Sequence, residues 1–356
     1  MHVRTLRTYN FRNLKDVDAG FSPGVNVLYG DNAQGKTSVL EAIWMFTGLK
    51  SFRTKNIADA YAFSSGKNEC RCDVEFETAD GTDRAAMVSE DSRRTFYFNG
   101  AEYSPAEALG RFNAVIFTPN TYDVINGAPE RRRNYLDSLL CQYESNYGAQ
   151  LAVYSRALRQ RNAGLKNCST AEEFSRLRDA WDPHLVRCGN IIMEARERLV
   201  KELSEMVAEF YGELGADEVC SVEYEPKTSG EALDAALEKN AERDLLTKTT
   251  NAGPHRDDID IRLNGRSLKT FGSQGQRKTC ALALKLAEAG VGADRRGESP
   301  VIMLDDFVGE LDAGRRKFVI GACSAGQLFI TCCERIPELS GAAEYVVADG
   351  TVSRQE

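Results

Sequence analysis

Apolar residues in the first 120 positions come in short runs and alternations closed by turn residues. Val25-Asn26-Val27-Leu28-Tyr29 ends at Gly30 and reads as a buried strand. Val39, Leu40, Ile43, Trp44 and Phe46 follow at helical spacing, and Gly48 closes that helix. Val74-Glu75-Phe76-Glu77 alternates into a hairpin turn at Asp80-Gly81, and Thr95-Phe96-Tyr97-Phe98 runs into another at Asn99-Gly100. Val115-Ile116-Phe117 predicts one more strand, stopped at Pro119.

From residue 129 the period changes to threes and fours. Leu136, Leu139, Leu140, Tyr143, Tyr147, Leu151, Tyr154 and Leu158 form the stripe of one long helix. A second stripe runs from Phe174 through Leu177, Trp181, Leu185, Ile192, Leu199 and Leu203 to Phe210, and Pro183 is expected to kink or break it. Joined around 162–171, the two predict an antiparallel helical arm. After residue 245 the strand pattern returns: Ile259, Ile261 and Leu263 alternate into Asn264-Gly265, and Val301–Leu304 and Gln327–Thr331 are apolar runs. Residues 274–289 read as a helix. The simplest organisation is one discontinuous domain, 1–120 plus 245–356, with a helical domain, 121–244, inserted into it. Trp44 and Trp181 fall on apolar faces and are expected in the core.

Composition adds little until charge is considered. The 356 residues are 42% hydrophobic and 28% charged, an ordinary globular balance. No apolar run approaches about 18 residues, so no membrane span is expected, and Met1–Arg7 has no apolar stretch of a signal peptide. Ten cysteines form no CxxC and have only three histidines for company, which disfavours a zinc site. Reduced, structural cysteines in a cytoplasmic protein are expected. The net charge of −8 taken alone argues against nucleic acid.

The chemistry begins at Gly30-Asp31-Asn32-Ala33-Gln34-Gly35-Lys36-Thr37, which matches GxxxxGK[ST] and continues into Ser38. The glycines let successive N–H groups turn toward phosphate oxygens, Lys36 reaches the β- and γ-phosphates, and Thr37 ligates Mg²⁺. The apolar strand before it and the helix after it are the required context. ATP and Mg²⁺ are the implied cofactors. A second strand must bring a carboxylate to the metal, and Val301–Leu304 ends in Asp305-Asp306. Asp305 would hold Mg²⁺ through water. Asp306 either polarises the attacking water as general base or serves the turn at the strand end.

Gly272-Ser273-Gln274-Gly275-Gln276, just before the helical stretch 277–289, resembles the signature loop of ABC-type ATPases, with Gln274 in place of a glycine. In that superfamily the loop closes on ATP held by the partner subunit. The same residues also make a plain loop and N-cap. Gly309-Glu310-Leu311-Asp312 resembles the D-loop, and Asp312 also suits the N-cap of a following helix. Where transporters place a switch histidine, Cys332-Cys333 stand instead. The fold class implied is an α/β P-loop ABC-type ATPase core, a mixed sheet with antiparallel hairpins, carrying an inserted helical arm.

Further segments resemble the RecF family of bacterial DNA repair proteins, in the SMC-like branch of the ABC ATPases. They are Leu6-x-x-Tyr9-Asn10-Phe11-Arg12-Asn13-Leu14, Ser51-Phe52-Arg53-Thr54, Phe117-Thr118-Pro119, Gly127-x-Pro129-x-Arg131-Arg132, Tyr154-x-x-x-Leu158-x-Gln160-Arg161-Asn162 and Gly253-Pro254-His255-Arg256-Asp257-Asp258. Asn120 departs from the acidic residue expected after Pro119. The resemblance implies an ATP-driven homodimer that binds DNA at gaps and single-strand/double-strand junctions. It implies work with RecO and RecR to place RecA, and a slow, DNA-stimulated hydrolysis that resets the dimer. Arg53 would reach the nucleotide in cis, as an arginine does in SMC-like relatives. A transporter ATPase subunit would want the switch histidine and a shorter insert, and a structural SMC protein would want long coiled coils or a zinc hook.

Net charge hides how the charge is distributed. Residues 131–166 hold Arg131, Arg132, Arg133, Arg156, Arg159, Arg161 and Lys166 against Asp137 and Glu144, while 194–225 hold ten acids. Segregated charge permits a basic surface on an acidic molecule. Arg131–Arg133, at the root of the arm, are candidates for DNA or interdomain contact. His255 is read either as a phosphate-sensing group or as a structural loop histidine.

Overall fold

A computed structural model describes the chain apart from residues 55, 63–65, 215–217, 229–231, 308, 310, 335–338, 340 and 356. It divides into two compact units, 1–121 with 282–356, and 122–281.

The first unit opens with β1 (His2–Tyr9), β2 (Asp18–Gly20), β3 (Val25–Tyr29), β4 (Glu69–Thr78), β5 (Gly81–Glu90), β6 (Arg93–Phe98), β7 (Ala101–Tyr103) and β8 (Ala114–Phe117). The second unit carries β9 (Cys220–Glu225), β10 (Asp258–Leu263) and β11 (Arg266–Ser267). The first resumes with β12 (Val301–Leu304), β13 (Leu328–Cys332), β14 (Ala343–Ala348) and β15 (Thr351–Arg354).

Two sheets build the first unit. One is antiparallel, in the order β2-β1-β4-β5-β6-β7; the other runs β15-β14-β3-β13-β12-β8, parallel except for β15. Burial explains their different sequence patterns. β8, β12 and β13 are buried at every position, so they read as unbroken apolar runs. β4 buries alternate residues and keeps the period of two. Val3, Leu6, Val74, Phe76 and Met87 of the antiparallel sheet share one core with Leu28, Met303 and Phe329 of the parallel sheet, and with Leu40, Ile43 and Phe46. Each such side chain contributes about 1.5–3 kcal/mol of transfer free energy.

Tight turns set the register. Asn99-Gly100 and Asn264-Gly265 carry the paired positive φ values that a two-residue hairpin requires. Asp91-Ser92 and Asp349-Gly350 do the same without advertising it as strongly. The β4–β5 loop falls on Ala79-Asp80, and Gly81 opens β5.

In the second unit the first apolar stripe is divided between two helices, Pro129–Tyr143 and Tyr147–Asn167. Glu144 takes extended backbone, and Ser145 and Asn146 are weak helix formers, so the chain breaks there while the stripe stays in phase. Ala171–Glu213 is one helix of 43 residues that continues through Pro183. Pro183 therefore does not break it, because the loss of one backbone bond is outweighed by the packing of a long amphipathic face. A capping box at Thr170 and Glu173 starts this helix. The helices pack closely: a Cβ on Gly164 would come within 2.3 Å of the Leu177 side chain. Trp44 is buried as expected, whereas Trp181 is half-buried beside His184.

Residues 245–281 group with the helical unit, although the strand pattern suggested the other part. The reason is pairing: β10 forms a six-residue antiparallel ladder with β9, directly after the long helix. The boundary falls inside the Gln274–Arg296 helix, after Ala281. No helix among the described residues is long and apolar enough to cross a membrane.

Candidate nucleotide-binding site

The strand order brings the two motifs of the first unit together. β3 delivers the Gly30–Thr37 loop, β12 delivers Asp305-Asp306, and β13 lies between them. Gly30 and Gly35 are required by space and backbone. A Cβ on Gly30 would lie 2.2 Å from the Val347 carbonyl oxygen, and Gly35 has φ +117° with Leu14 at 2.9 Å from its missing Cβ. Ala33 also takes positive φ, and Asn13 steadies that turn by donating from Nδ2 to the Ala33 carbonyl at 2.8 Å. Gln34 is held from the other side, where the Asp349 and Gly350 N–H groups donate to its side-chain and backbone oxygens.

The loop opens into the Lys36–Trp44 helix, whose N-cap is Gly35 with no side-chain cap. Its first N–H groups remain available to an anion, with the positive end of the helix behind them. Lys36 is buried, and its Nζ donates to the Gly30 and Asp31 carbonyls at 2.6 and 3.0 Å. Thr37 Oγ1 donates to Asp305 Oδ1 at 2.8 Å. Burial raises the Asp305 carboxyl above its usual range, and the hydroxyls of Thr37 and Thr331 counter that. Asp306 is exposed at the same mouth in a left-handed turn, with its N–H bonded to Thr331 Oγ1 at 2.8 Å. Arg12, Asn13, Asn32 to Ser38, Arg53 and Asp306 line a cleft of about 330 Å³.

Residues the motifs did not reveal organise this cleft. Glu41, fully buried, takes Arg12 through two bonds at 2.6 and 2.9 Å and Arg53 at 3.2 Å. Arg53 also reaches Ser38 Oγ at 3.3 Å, and Ser38 donates to Asn13. Thr331 joins both aspartates, and Cys333 Sγ stands 3.5 Å from Lys36 Nζ and 3.2 Å from Asn32 Oδ1. The available signals were Glu41 within the otherwise apolar stretch Val39–Trp44 and a hydroxyl at the end of buried β13.

The second unit presents the Ser273–Gln276 segment. Ser273 caps the Gln274–Arg296 helix: its Oγ accepts from the Gln276 N–H, and Gln276 Oε1 accepts from the Ser273 N–H at 2.7 Å. Gln276 Nε2 donates to Glu218. The capping role is therefore real, and Ser273, Gln274 and Gly275 are exposed around it. In the first unit Asp312 caps the Ala313–Cys323 helix. Glu310 lies outside the described residues.

Two arginines counted toward a DNA surface are committed internally. Arg161 is fully buried and bonds Asp182 and Asp244, each at 2.7 Å, and Thr250 at 2.9 Å. Arg132 makes a two-bond fork to Asp258 at 2.6 and 2.8 Å. Linear charge counting could not see these partners. Arg131, Arg156, Arg159 and Lys166 are exposed.

His255 is structural. Its Nε2–H faces the Thr250 carbonyl at 3.0 Å, which leaves Nδ1 to accept from the Tyr154 hydroxyl at 2.7 Å. Burial lowers its pKa from 6.5 to about 4. Between those values the unfolded chain binds the proton and the folded chain does not. The stability this gives is complete above pH 6.5 and is lost as pH falls toward 4. The loss should be on the order of 2–3 kcal/mol. Urea unfolding at pH 7, 5.5 and 4.5 is expected to show this decline in the parent chain and a shallower one in His255→Gln. Equal slopes would remove the assignment.

Comparison with known proteins fits this geometry. Residues 2–344 match the RecF/RecN/SMC N terminal domain family. A DNA replication and repair protein RecF from Lachnoclostridium phytofermentans is 31% identical over 361 residues, covering 99% of this chain and all of that protein. The chain belongs to the RecF family. A RecF from Gloeobacter violaceus is 34% identical, over 90% of this chain and 89% of its own length. The recombination mediator protein RecF of the RecFOR pathway, solved as RecF-ATP, superposes with a TM-score of 0.92 at 31% identity, covering 100% of this chain and 98% of that one. An Smc head domain from Pyrococcus furiosus reaches 0.57 at 17% identity, covering 99% and 96% of the two chains, and shares the fold. The fold is thus the ABC ATPase head of RecF and SMC proteins with a helical insertion.

Proposed function

We propose that this RecF-family chain is an ATP-gated DNA-binding protein of replication and recombinational repair. ATP bound in the first unit joins two copies, and the joined pair holds DNA at gaps and single-strand/double-strand junctions. The observation that carries the nucleotide reading is the Thr37–Asp305 hydrogen bond. It links the phosphate loop to a carboxylate from another strand, beside Lys36 and an uncapped helix start. The RecF solved with ATP, alike over the whole chain, supports the same ligand.

The donor set suits Mg²⁺, since a threonine hydroxyl and a carboxylate are hard oxygen ligands at hydrogen-bond distance from each other. Thr37 and Asp305 would hold it, and when bound it supplies neutralisation of phosphate charge. The chain's own groups do the rest. Lys36 exchanges its two carbonyl partners for phosphate oxygens. Backbone N–H groups from Asp31 to Ser38 cradle the phosphates. Arg53, anchored by Glu41 and Ser38, adds positive charge in cis. Asp306, exposed at the mouth, is placed to orient and deprotonate a water. Hydrolysis is slow, and it resets the pair.

Ser273-Gln274-Gly275-Gln276 is read as the surface that meets the partner copy's nucleotide. Ser273 Oγ accepts a bond at its own helix start, so its proton remains to be donated outward. A Cβ at Gly275 would meet only the Ser273 hydroxyl, at 4.0 Å, leaving room for close approach. RecO and RecR are the expected protein partners, by likeness to the RecF of the RecFOR pathway. Ser273→Arg is expected to leave ATP affinity within about two-fold while abolishing ATP-induced dimerisation, by sedimentation velocity. A normal ATP shift in that variant would remove the two-copy arrangement.

A further inference from the structure

The second unit holds a cavity that nucleotide chemistry leaves unused. It measures about 290 Å³ and lies among the Pro129–Tyr143, Tyr147–Asn167 and Ala171–Glu213 helices and the Pro254-His255 turn. Arg133, Arg159 and Arg196 line it, with Asp137 as its carboxylate.

Within the lining three guanidinium groups face one carboxylate. Arg196 takes both oxygens of Asp137, at 2.8 and 3.0 Å, and donates its remaining nitrogen to the Pro254 carbonyl at 2.7 Å. The Tyr147 hydroxyl also donates to Asp137. Arg133 bonds the Asp257 carbonyl at 2.9 Å, and among the described residues neither Arg133 nor Arg159 has a carboxylate partner. Burial and the neighbouring Arg196 hold Arg133 below the usual guanidinium range, while the charges of Asp258, Asp137 and Glu130 act against that shift. His255 contributes no charge at neutral pH. Ser155 and Asn134 supply neutral polar lining. Guanidinium forks with spare N–H groups match the oxygens of a phosphate group better than any neutral ligand.

We propose that this cavity is a phosphate pocket that receives one phosphate group of a bound DNA strand. The inference rests on the DNA-binding reading and adds a contact point to it. It also gives a use to Tyr154 and the Gly253–His255 turn. Gly253 has φ +125°, and a Cβ there would lie 2.4 Å from the Tyr154 hydroxyl, so this corner of the wall is tightly built.

The test is binding of the full chain, with ATP, to gapped duplex across a salt series. Arg159→Ala, at an exposed position, is expected to weaken binding about ten-fold and to lower the slope of log affinity against log salt by about 1. Ser155→Leu removes no charge but fills the cavity, and is expected to cause a similar loss at unchanged melting temperature. Gaps carrying a 5′-phosphate or a 5′-hydroxyl distinguish the source. A loss confined to the phosphorylated gap assigns the pocket to a strand end, and a loss on both assigns it to the backbone. Full binding by a folded Ser155→Leu overturns the pocket, because a surface charge effect would then explain Arg159→Ala. If Ser155→Leu does not fold, wild-type binding by Arg159→Ala overturns it. If both variants bind like the parent, the pocket fails while the DNA-binding reading stands; if the parent does not bind DNA, both fail.

Discussion

Lys36→Ala is expected to lower ATP affinity by about two orders of magnitude and to abolish the ATP response of DNA binding. The ammonium group is buried at the loop, within 3.0 Å of two carbonyls that, in the proposed role, would release it to phosphate. Among the described residues no other lysine lines the cleft. Lys36→Arg keeps the charge, yet it should also fail, because a planar guanidinium does not fit a pocket cut for a compact ammonium. Thermal melting should change little, since the lost bonds run to the loop's own carbonyls. Fluorescent-nucleotide titration with parallel DNA binding checks this. A full ATP response in either variant would contradict the assigned role.

Arg161→Ala is expected to have the largest effect on stability, a loss of about 3–5 kcal/mol. The reason is what remains behind. Asp244 is fully buried and would lose its cation, whereas Asp182, partly buried, would keep only the longer pair with Arg178 at 3.3 Å. Arg161 reaches Asp182 and Asp244 on different elements and the Thr250 hydroxyl as well, so Arg161→Lys should recover only part of the loss. Urea unfolding measures it. A change below about 1 kcal/mol would mean that these carboxylates find other partners or water.

These two residues also mark what could be read along the chain. Lys36 was legible because the phosphate loop demands fixed residue types at fixed spacing between a strand and a helix, and the chain supplies all of them. Asp305 followed from the same demand at the end of a buried strand. The loop-holding residues were not legible. Thr331 acts through a contact that depends on which strands neighbour β3, and Asn13 and Glu41 through contacts between loop and helix segments, neither of which appears in the hydrophobic pattern. Arg161 was counted as a surface charge because its acid partners lie 21 and 83 residues away. Ser145-Asn146 divided a stripe that looked continuous, since helix phase survives a short break. The domain boundary moved because β10 pairs with β9, and strand periodicity alone does not name its partner.

The capping role of Ser273 shows why two readings of one motif can both hold. The hydrogen bond that starts the helix occupies the hydroxyl's acceptor and leaves its donor unused. The acidic net charge is likewise compatible with DNA. Exposed Arg156, Arg159 and Lys166 remain after the ion pairs are subtracted, with Arg131 exposed beside Asp123, a limited set that two copies would double.

The central claim is that ATP gates DNA binding by joining two copies. Its most direct test is the affinity for gapped and intact duplex, with and without ATP, across a salt series. The account predicts tight, gap-preferring binding with ATP, a shallower salt slope without it, and weak binding in its absence. Equal affinity and equal slope with and without ATP would contradict it.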